Sequence, residues 1–296
     1  MLVDGKEVIV RGRLVKIAEL KEEWDENIHD PEAYVEQLKR SSVRAQIFSF
    51  VQRLPDSKPR FNYYMEWDSV AAIPTKSYEY WLKHLVVKNS RKKIGYAIRK
   101  GVELKPCKFN DELIQGILEM YHEVPIMQGK PNRQYKTDFA KAKKLNATFL
   151  DRAQFIGAYY KSELIGYIKL VNAGNYMRTM GILSKYAHRD KGPMNLLIAK
   201  AVELCAEQKI PYLVYAKFNY GKRGSTTLKE FKKNLGFESI ILPRYYIPMN
   251  LWGKIILHLK MHRDPIEYLP EMIIRLLIKF REYVYLKKAK MQSSPL

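Results

Sequence analysis

The chain has 296 residues, 47% of them apolar and 12% aromatic, and its 52 Lys and Arg against 31 Asp and Glu give a formal net charge of +21. That composition excludes a disordered chain and leaves room for one large or two modest cores. The charge, spread along the whole sequence, points to an anionic partner such as nucleic acid, an acidic lipid surface or a phosphorylated substrate, while the two distant cysteines, Cys107 and Cys205, exclude a disulfide framework and a cysteine-rich zinc site.

Segments 6–20 and 44–53 alternate apolar and polar residues (Val8, Val10, Leu14; Ala45, Ile47, Ser49, Val51), which predicts half-buried strands. Residues 60–74 are aromatic and extended. Residues 78–100 carry Trp81, Leu85 and Ile98 in a basic helical pattern, with Gly101 placed to stop it. A short strand at 102–107 leads to a helix at 111–123, with Leu113, Ile114, Ile117, Leu118 and Tyr121 on one face and Asn110 or Asp111 as its cap. A loop holding Pro125, Gly129 and Pro131 precedes a basic helix near 135–145. Strands follow at 155–160 and 164–171, joined by Lys161-Ser162-Glu163, and a third at 176–184 after Ala173-Gly174-Asn175.

The helix at 193–208 sets Met194, Leu197, Ile198, Ala201, Val202 and Cys205 at i, i+3, i+4 spacing, with Pro193 in the first helical position. Residues 212–218 read as a central strand, 226–234 as a helix stopped by Gly236, and 244–248 as a closing strand. Two basic amphipathic helices end the chain. The first sets Trp252, Ile255, Ile256 and Leu259 against Lys254, His258 and Lys260. The second starts at Pro270 and sets Ile273, Leu276, Leu277, Phe280 and Val284 against Arg275, Lys279, Arg281 and Lys288. Such helices either pack on the core or lie on an anionic membrane. The longest apolar stretch, 272–280, is interrupted by charges, and no apolar run follows a basic start, so a cytoplasmic location is expected.

The chemistry concentrates around one turn, Arg189-Asp190-Lys191-Gly192-Pro193-Met194, directly ahead of the 193–208 helix. A helix N-terminus carries unpaired N–H groups and a positive dipole end. Arg189, Asp190, Lys191, Gly192, Met194 and Asn195 are therefore candidates for holding an anion such as a pyrophosphate. Lys222-Arg223-Gly224-Ser225-Thr226 precedes the next helix, so Lys222, Arg223 and Ser225, with Lys232 further along, form a second anion-binding candidate. Tyr220, just past a strand, is the candidate proton donor, and Lys217 at the strand end could steady negative charge. His188 either touches phosphate or is exposed, and Glu163 reads as hairpin-turn chemistry. None of the 6 histidines has a partnered Ser or Cys or a metal-binding spacing, so neither a nucleophile triad nor a metal site is expected.

The element order from 102 to 248 is strand, helix, helix, three antiparallel strands, helix, strand, helix, strand. With the 189–192 turn and the segment Leu228-Lys229-Glu230-Phe231-Lys232-Lys233-Asn234-Leu235-Gly236-Phe237-Glu238, it resembles the GNAT acyltransferase superfamily over about half the chain. In that superfamily the turn follows an Arg/Gln-x-x-Gly-x-Gly/Ala pattern whose amides hold the pyrophosphate of acetyl-CoA, and a tyrosine often serves as general acid, a role that falls here to Tyr220. Pro193 departs from the pattern by lacking an N–H, and Met194 replaces the small residue. The basic helix ending Arg99-Lys100-Gly101-Val102, the Pro193-x-Asn195-x-Leu197 start and the Tyr220-Gly221 … Leu228 … Phe231-Lys232 … Gly236-Phe237 run resemble FemAB-type proteins. Those are paired GNAT-like domains that transfer amino acids from aminoacyl-tRNA or act as acyltransferases in envelope pathways.

The resemblance implies an α+β fold with a mixed, mostly antiparallel sheet flanked by helices, and the helix starting at Pro193 directly after the third antiparallel strand predicts that strands 176–184 and 212–218 splay to open a cleft. Residues 1–100 would form an α+β region, a partial GNAT-like half; 101–249 the acyltransferase domain; and 250–296 a basic helical tail. The implied activity is N-acyl transfer from acyl-CoA or aminoacyl-tRNA to an amine of a sugar, peptide or lipid-linked envelope precursor. Acetyl-CoA or acyl-CoA would be a co-substrate and not a tightly bound cofactor. tRNA and the inner face of an anionic membrane would be partners. A second reading stays open, a non-catalytic RNA-binding module on the same fold, with basic segments 90–100 and 136–144 tracking phosphates.

Overall fold

The computed structural model describes residues 1–127, 130–219, 226–264, 269–270, 272–274, 276–277, 279–280 and 283–285. The second C-terminal helix expected from the sequence falls partly outside them, including Arg275, Arg281 and Lys288. In chain order come strands β1 (Leu2–Val3), β2 (Lys6–Arg11) and β3 (Ile17–Leu20), helix α1 (Pro31–Arg40), and strands β4 (Ile47–Val51) and β5 (Tyr64–Pro74). Helix α2 (Tyr78–Tyr80), a π-turn (Trp81–Leu85) and α3 (Lys88–Arg99) precede β6 (Glu103–Cys107), α4 (Asp111–His122), the short pair β7 (Ile126–Met127) and β8 (Lys130–Pro131), and α5 (Phe139–Asn146). Strands β9 (Ala153–Tyr160), β10 (Glu163–Asn172) and β11 (Met177–Ser184) follow. A 3-10 turn (Tyr186–Lys191) then leads into α6 (Pro193–Glu207), β12 (Tyr212–Lys217), α7 (Thr226–Asn234), β13 (Glu238–Pro248) and α8 (Leu251–His258).

These elements divide into two units, Met1–Val70 with Ser239–Pro270, and Ala71–Glu238 with Glu271–Leu296. In the first the strand order is β1-β2-β3-β4-β13-β5, with β3 parallel to β4 and β13 antiparallel to it. The apolar alternation sends Val8, Ala18, Phe48, Phe50 and Tyr245 to one face, where α1 covers them with Tyr34, Val35 and Leu38. Asp30 caps α1 by accepting from the Ala33 amide at 3.0 Å, and Pro31 takes the first helical position. The buried Arg244 guanidinium binds Glu23 at 2.7 Å and Asp68 at 2.9 Å. All three groups leave water together, so each depends on the others for compensation.

In the second unit the order is β5-β12-β11-β10-β9-β6, an antiparallel run from β6 to β11 extended by the parallel strand β12. Neighbouring residues on a strand face opposite ways. Ile156 and Ile168 meet α3 and α6 (Ile94, Ala97, Leu197, Ile198, Val202, Cys205). Phe155 and Tyr167 meet α4 and α5 (Leu113, Ile114, Ile117, Ala142). Helices thus cover both faces, which accounts for near-continuous burial along β10. No helix among the described residues is long and apolar enough to cross a membrane.

The helix expected over 78–100 is broken. The Trp81 indole donates to the Leu235 carbonyl at 2.8 Å, and the Val87 amide donates to the Asn234 carbonyl at 3.1 Å. These bonds to the end of α7 pull Val86 into an extended conformation between the π-turn and α3, overriding a helical pattern that nothing local interrupts.

Candidate functional site

Strands β11 and β12 share register only at Met177–Leu213 and Arg178–Val214. Beyond that point β11 continues to Ser184 against β10 without a further β12 partner among the described residues, and Ala216 of β12 lies at φ 46°. The two strands therefore splay towards their C-terminal ends, and α6 begins at this open end.

Gly192 is the N-cap of α6, with φ 68° and ψ 33° and no side chain to cap the helix. A Cβ there would meet the Lys93 carbonyl of α3 at 3.4 Å, an ordinary contact, so glycine is favoured here by the left-handed backbone and not by lack of space. The Leu196 amide makes the first helical bond, to the Gly192 carbonyl at 3.4 Å, which leaves the Met194 and Asn195 amides without a helical partner. Pro193 occupies the position whose N–H would be unpaired in any case. Two donors and the dipole end remain for an anion.

The charged side chains of the turn are sorted by their neighbours. Arg189 is exposed and lies 4.0 Å over the Tyr186 ring. Lys191 sits 4.9 Å over Tyr160 and 3.4 Å from Asp190, so Asp190 offsets part of its charge. Beneath them Glu163 accepts from Lys185 at 2.8 Å and from His188 Nε2 at 3.1 Å, and the Lys185 ammonium holds its carboxyl below the usual range. Glu123 accepts from the amides of Tyr186 and Ala187, which anchors the start of the 3-10 turn. Lys185 also donates to Glu119 at 2.8 Å, completing a scaffold of Glu119, Glu123, Glu163 and Lys185 that the sequence alone does not reveal. Its members come from α4, the β9–β10 hairpin and the end of β11, and spacing along the chain gives no sign that they meet. On the α4 side of the hairpin, a cavity of about 520 Å³ is lined by Cys107, Glu112, Glu119, Tyr159 and Glu163.

At the end of β12 the structure brings together two of the sequence candidates. The Lys232 side chain from α7 is fully buried, donates to the Lys217 carbonyl at 2.5 Å and lies 4.7 Å from the Tyr215 ring centre. Burial lowers its pKa to about 8, because desolvation disfavours the charged form. Lys217 itself is half-buried. Tyr220, Lys222, Arg223 and Ser225 lie in the segment between β12 and α7 that is outside the described residues.

No protein-family model and no curated protein sequence matches the chain. Its fold does match solved structures. FemX superposes with a TM-score of 0.58 at 11% identity, covering 84% of this chain and 86% of that chain. The C-terminal domain of a putative lysylphosphatidylglycerol synthetase from Agrobacterium fabrum gives 0.52 at 10% identity over 88% and 86%. L-PGS from Bacillus licheniformis gives 0.51 at 12% identity over 86% and 85%. At such identities the likeness is one of fold: the chain shares with these structures a mixed, mostly antiparallel sheet flanked by helices.

Proposed function

We propose that the chain is an N-acyltransferase that takes an acyl or aminoacyl group from a polyanionic carrier, acyl-CoA or aminoacyl-tRNA, and passes it to an amine of a sugar, peptide or lipid-linked precursor. The splay of β11 from β12 at the head of α6 carries this reading. Phosphates held at the Met194 and Asn195 amides, with Arg189 and Lys191 beside them, would leave the acyl carbonyl between the parted strands. The acceptor nitrogen attacks that carbonyl, a C–N bond forms and the C–S or C–O bond to the carrier breaks. No enzyme nucleophile is needed, only a positioned amine and a route for its proton. Lys232, whose ammonium lies at the end of β12 against the Lys217 carbonyl, is the residue proposed to steady the negative charge that develops on the carbonyl oxygen, and Tyr220 is the residue proposed to return a proton to the leaving group.

Helix α3 supports a large polyanionic donor. It buries Ser90, Ile94 and Ala97 and exposes Lys88, Arg91, Lys92, Lys93 and Arg99, while the Lys93 carbonyl abuts the Gly192 turn. That exposed row extends a positive field beside the anion-binding end of α6. Thermal unfolding with acetyl-CoA, longer acyl-CoAs and aminoacylated tRNA tests the proposal. A true donor at about 100 times its Kd is expected to stabilise the fold by about 2.7 kcal/mol, and Arg189→Ala should weaken that shift. Absence of stabilisation by every donor would contradict the reading.

A further inference from the structure

We propose that α8 docks the protein on an anionic lipid bilayer. Among the described residues, the helix is held to the first unit by one side. Gly253 is buried so closely that a Cβ would lie 2.1 Å from the Gln46 carbonyl oxygen, and Ile256 and Leu257 pack on Ile47. Asn250 caps the helix by accepting from the Gly253 amide at 2.9 Å. At about 100° per residue, Leu251, Ile255, Leu259 and Trp252 fall on one arc of the opposite side, and they are 75%, 46%, 60% and 69% exposed. The amphipathic face expected from the sequence is thus divided, with Ile256 facing the core and its other members facing outward.

Scattered apolar residues on a surface need no explanation, but a contiguous apolar arc with a tryptophan does. Charge selects the occupant. From 239 to 263 the sequence holds no Asp or Glu, and Lys254 and Lys260 are exposed next to the arc. A rigid helix with an outward apolar face and basic flanks matches a surface that offers both acyl chains and anionic headgroups. The chain's net charge of +21 acts in the same direction.

Flotation of the full chain with phosphatidylcholine vesicles, and with vesicles containing about one-third phosphatidylglycerol, tests this without any transfer assay. Wild type should float with the anionic vesicles alone and be released by high salt, since screening weakens headgroup attraction. Trp252→Ser with Leu259→Ser should lower the partition coefficient at least about tenfold, and Lys254→Glu with Lys260→Glu should lower it by more than about fivefold per site. Circular dichroism melts of both variants should match wild type, because the altered side chains are exposed. Equal flotation on both vesicle types, or none, would overturn the proposal. So would a self-associated wild type that Trp252→Ser dissociates, which would make the face a contact between two copies.

Discussion

Lys232→Met is expected to lower turnover by about 10²–10³ and to remove a pH dependence from the stability of the fold. Removing one group that stabilises a developing oxyanion typically has an effect of about that size. Methionine keeps the unbranched stem and fills the same space against Tyr215 and the end of β12; the cost of desolvating an ammonium disappears, and the hydrogen bond to the Lys217 carbonyl is lost with it. Stability should carry a pH signature. Burial lowers the folded-state pKa from 10.5 to about 8. Between those values the unfolded chain retains a proton that the folded chain has lost, so the wild type gains stability as pH rises through that window. Below about pH 8 both states are protonated and the full penalty is present. Urea unfolding should therefore show the wild type gaining stability relative to Lys232→Met between about pH 7 and pH 10. Unchanged turnover, measured as release of free CoA or deacylated tRNA, would place the stabilising charge elsewhere.

Arg244→Ala is expected to destabilise the first unit by about 3–5 kcal/mol, the usual range when one partner of a buried ion pair is removed. Arg244 is 7% exposed and binds two carboxylates, Glu23 at 2.7 Å and Asp68 at 2.9 Å. Truncation leaves both in a poorly hydrated site without their cation. Replacing all three by apolar residues of similar volume should recover most of the loss, since well-packed apolar groups can match a buried ionic triad. Chemical denaturation of the single and triple variants decides, and a single-variant loss under about 1 kcal/mol would show that water reaches the carboxylates.

Much of the second unit was legible in the sequence because its signals are local. The apolar spacing of α6, Pro193 at its first position, Gly192 ahead of it and the hairpin Lys161-Ser162-Glu163 each act within a few residues. The splay of β11 and β12 followed from a helix starting directly after an antiparallel strand. The break at Val86 was not legible, since it depends on bonds from Trp81 and Val87 to residues about 150 positions later. Nor was the length of β13, expected from 244 and found from Glu238. Lys232 lies in a charged, exposed-looking run and Lys169 in an apolar strand, and neither context names the partners that hold the buried ammonium. Lys169 is held by the carbonyls of Asn146 and Thr148 and by the Thr148 hydroxyl, partners supplied by the end of α5 and the turn after it. Glu163 looked like a turn residue because its partners Lys185 and His188 reach it only after the sheet has formed.

The central claim is that the carrier's phosphates rest on the first turn of α6 and its acyl end enters between β11 and β12. Amide hydrogen exchange of the full chain, with and without the donor that raises its melting temperature, tests this most directly. Bound donor should protect the amides of Met194 and Asn195, which have no helical partner, together with the C-terminal ends of β11 and β12. Gly192→Val should reduce that protection. Donor binding that leaves residues 189–196 and 212–217 exchanging as in the free protein, with protection elsewhere, would contradict the account.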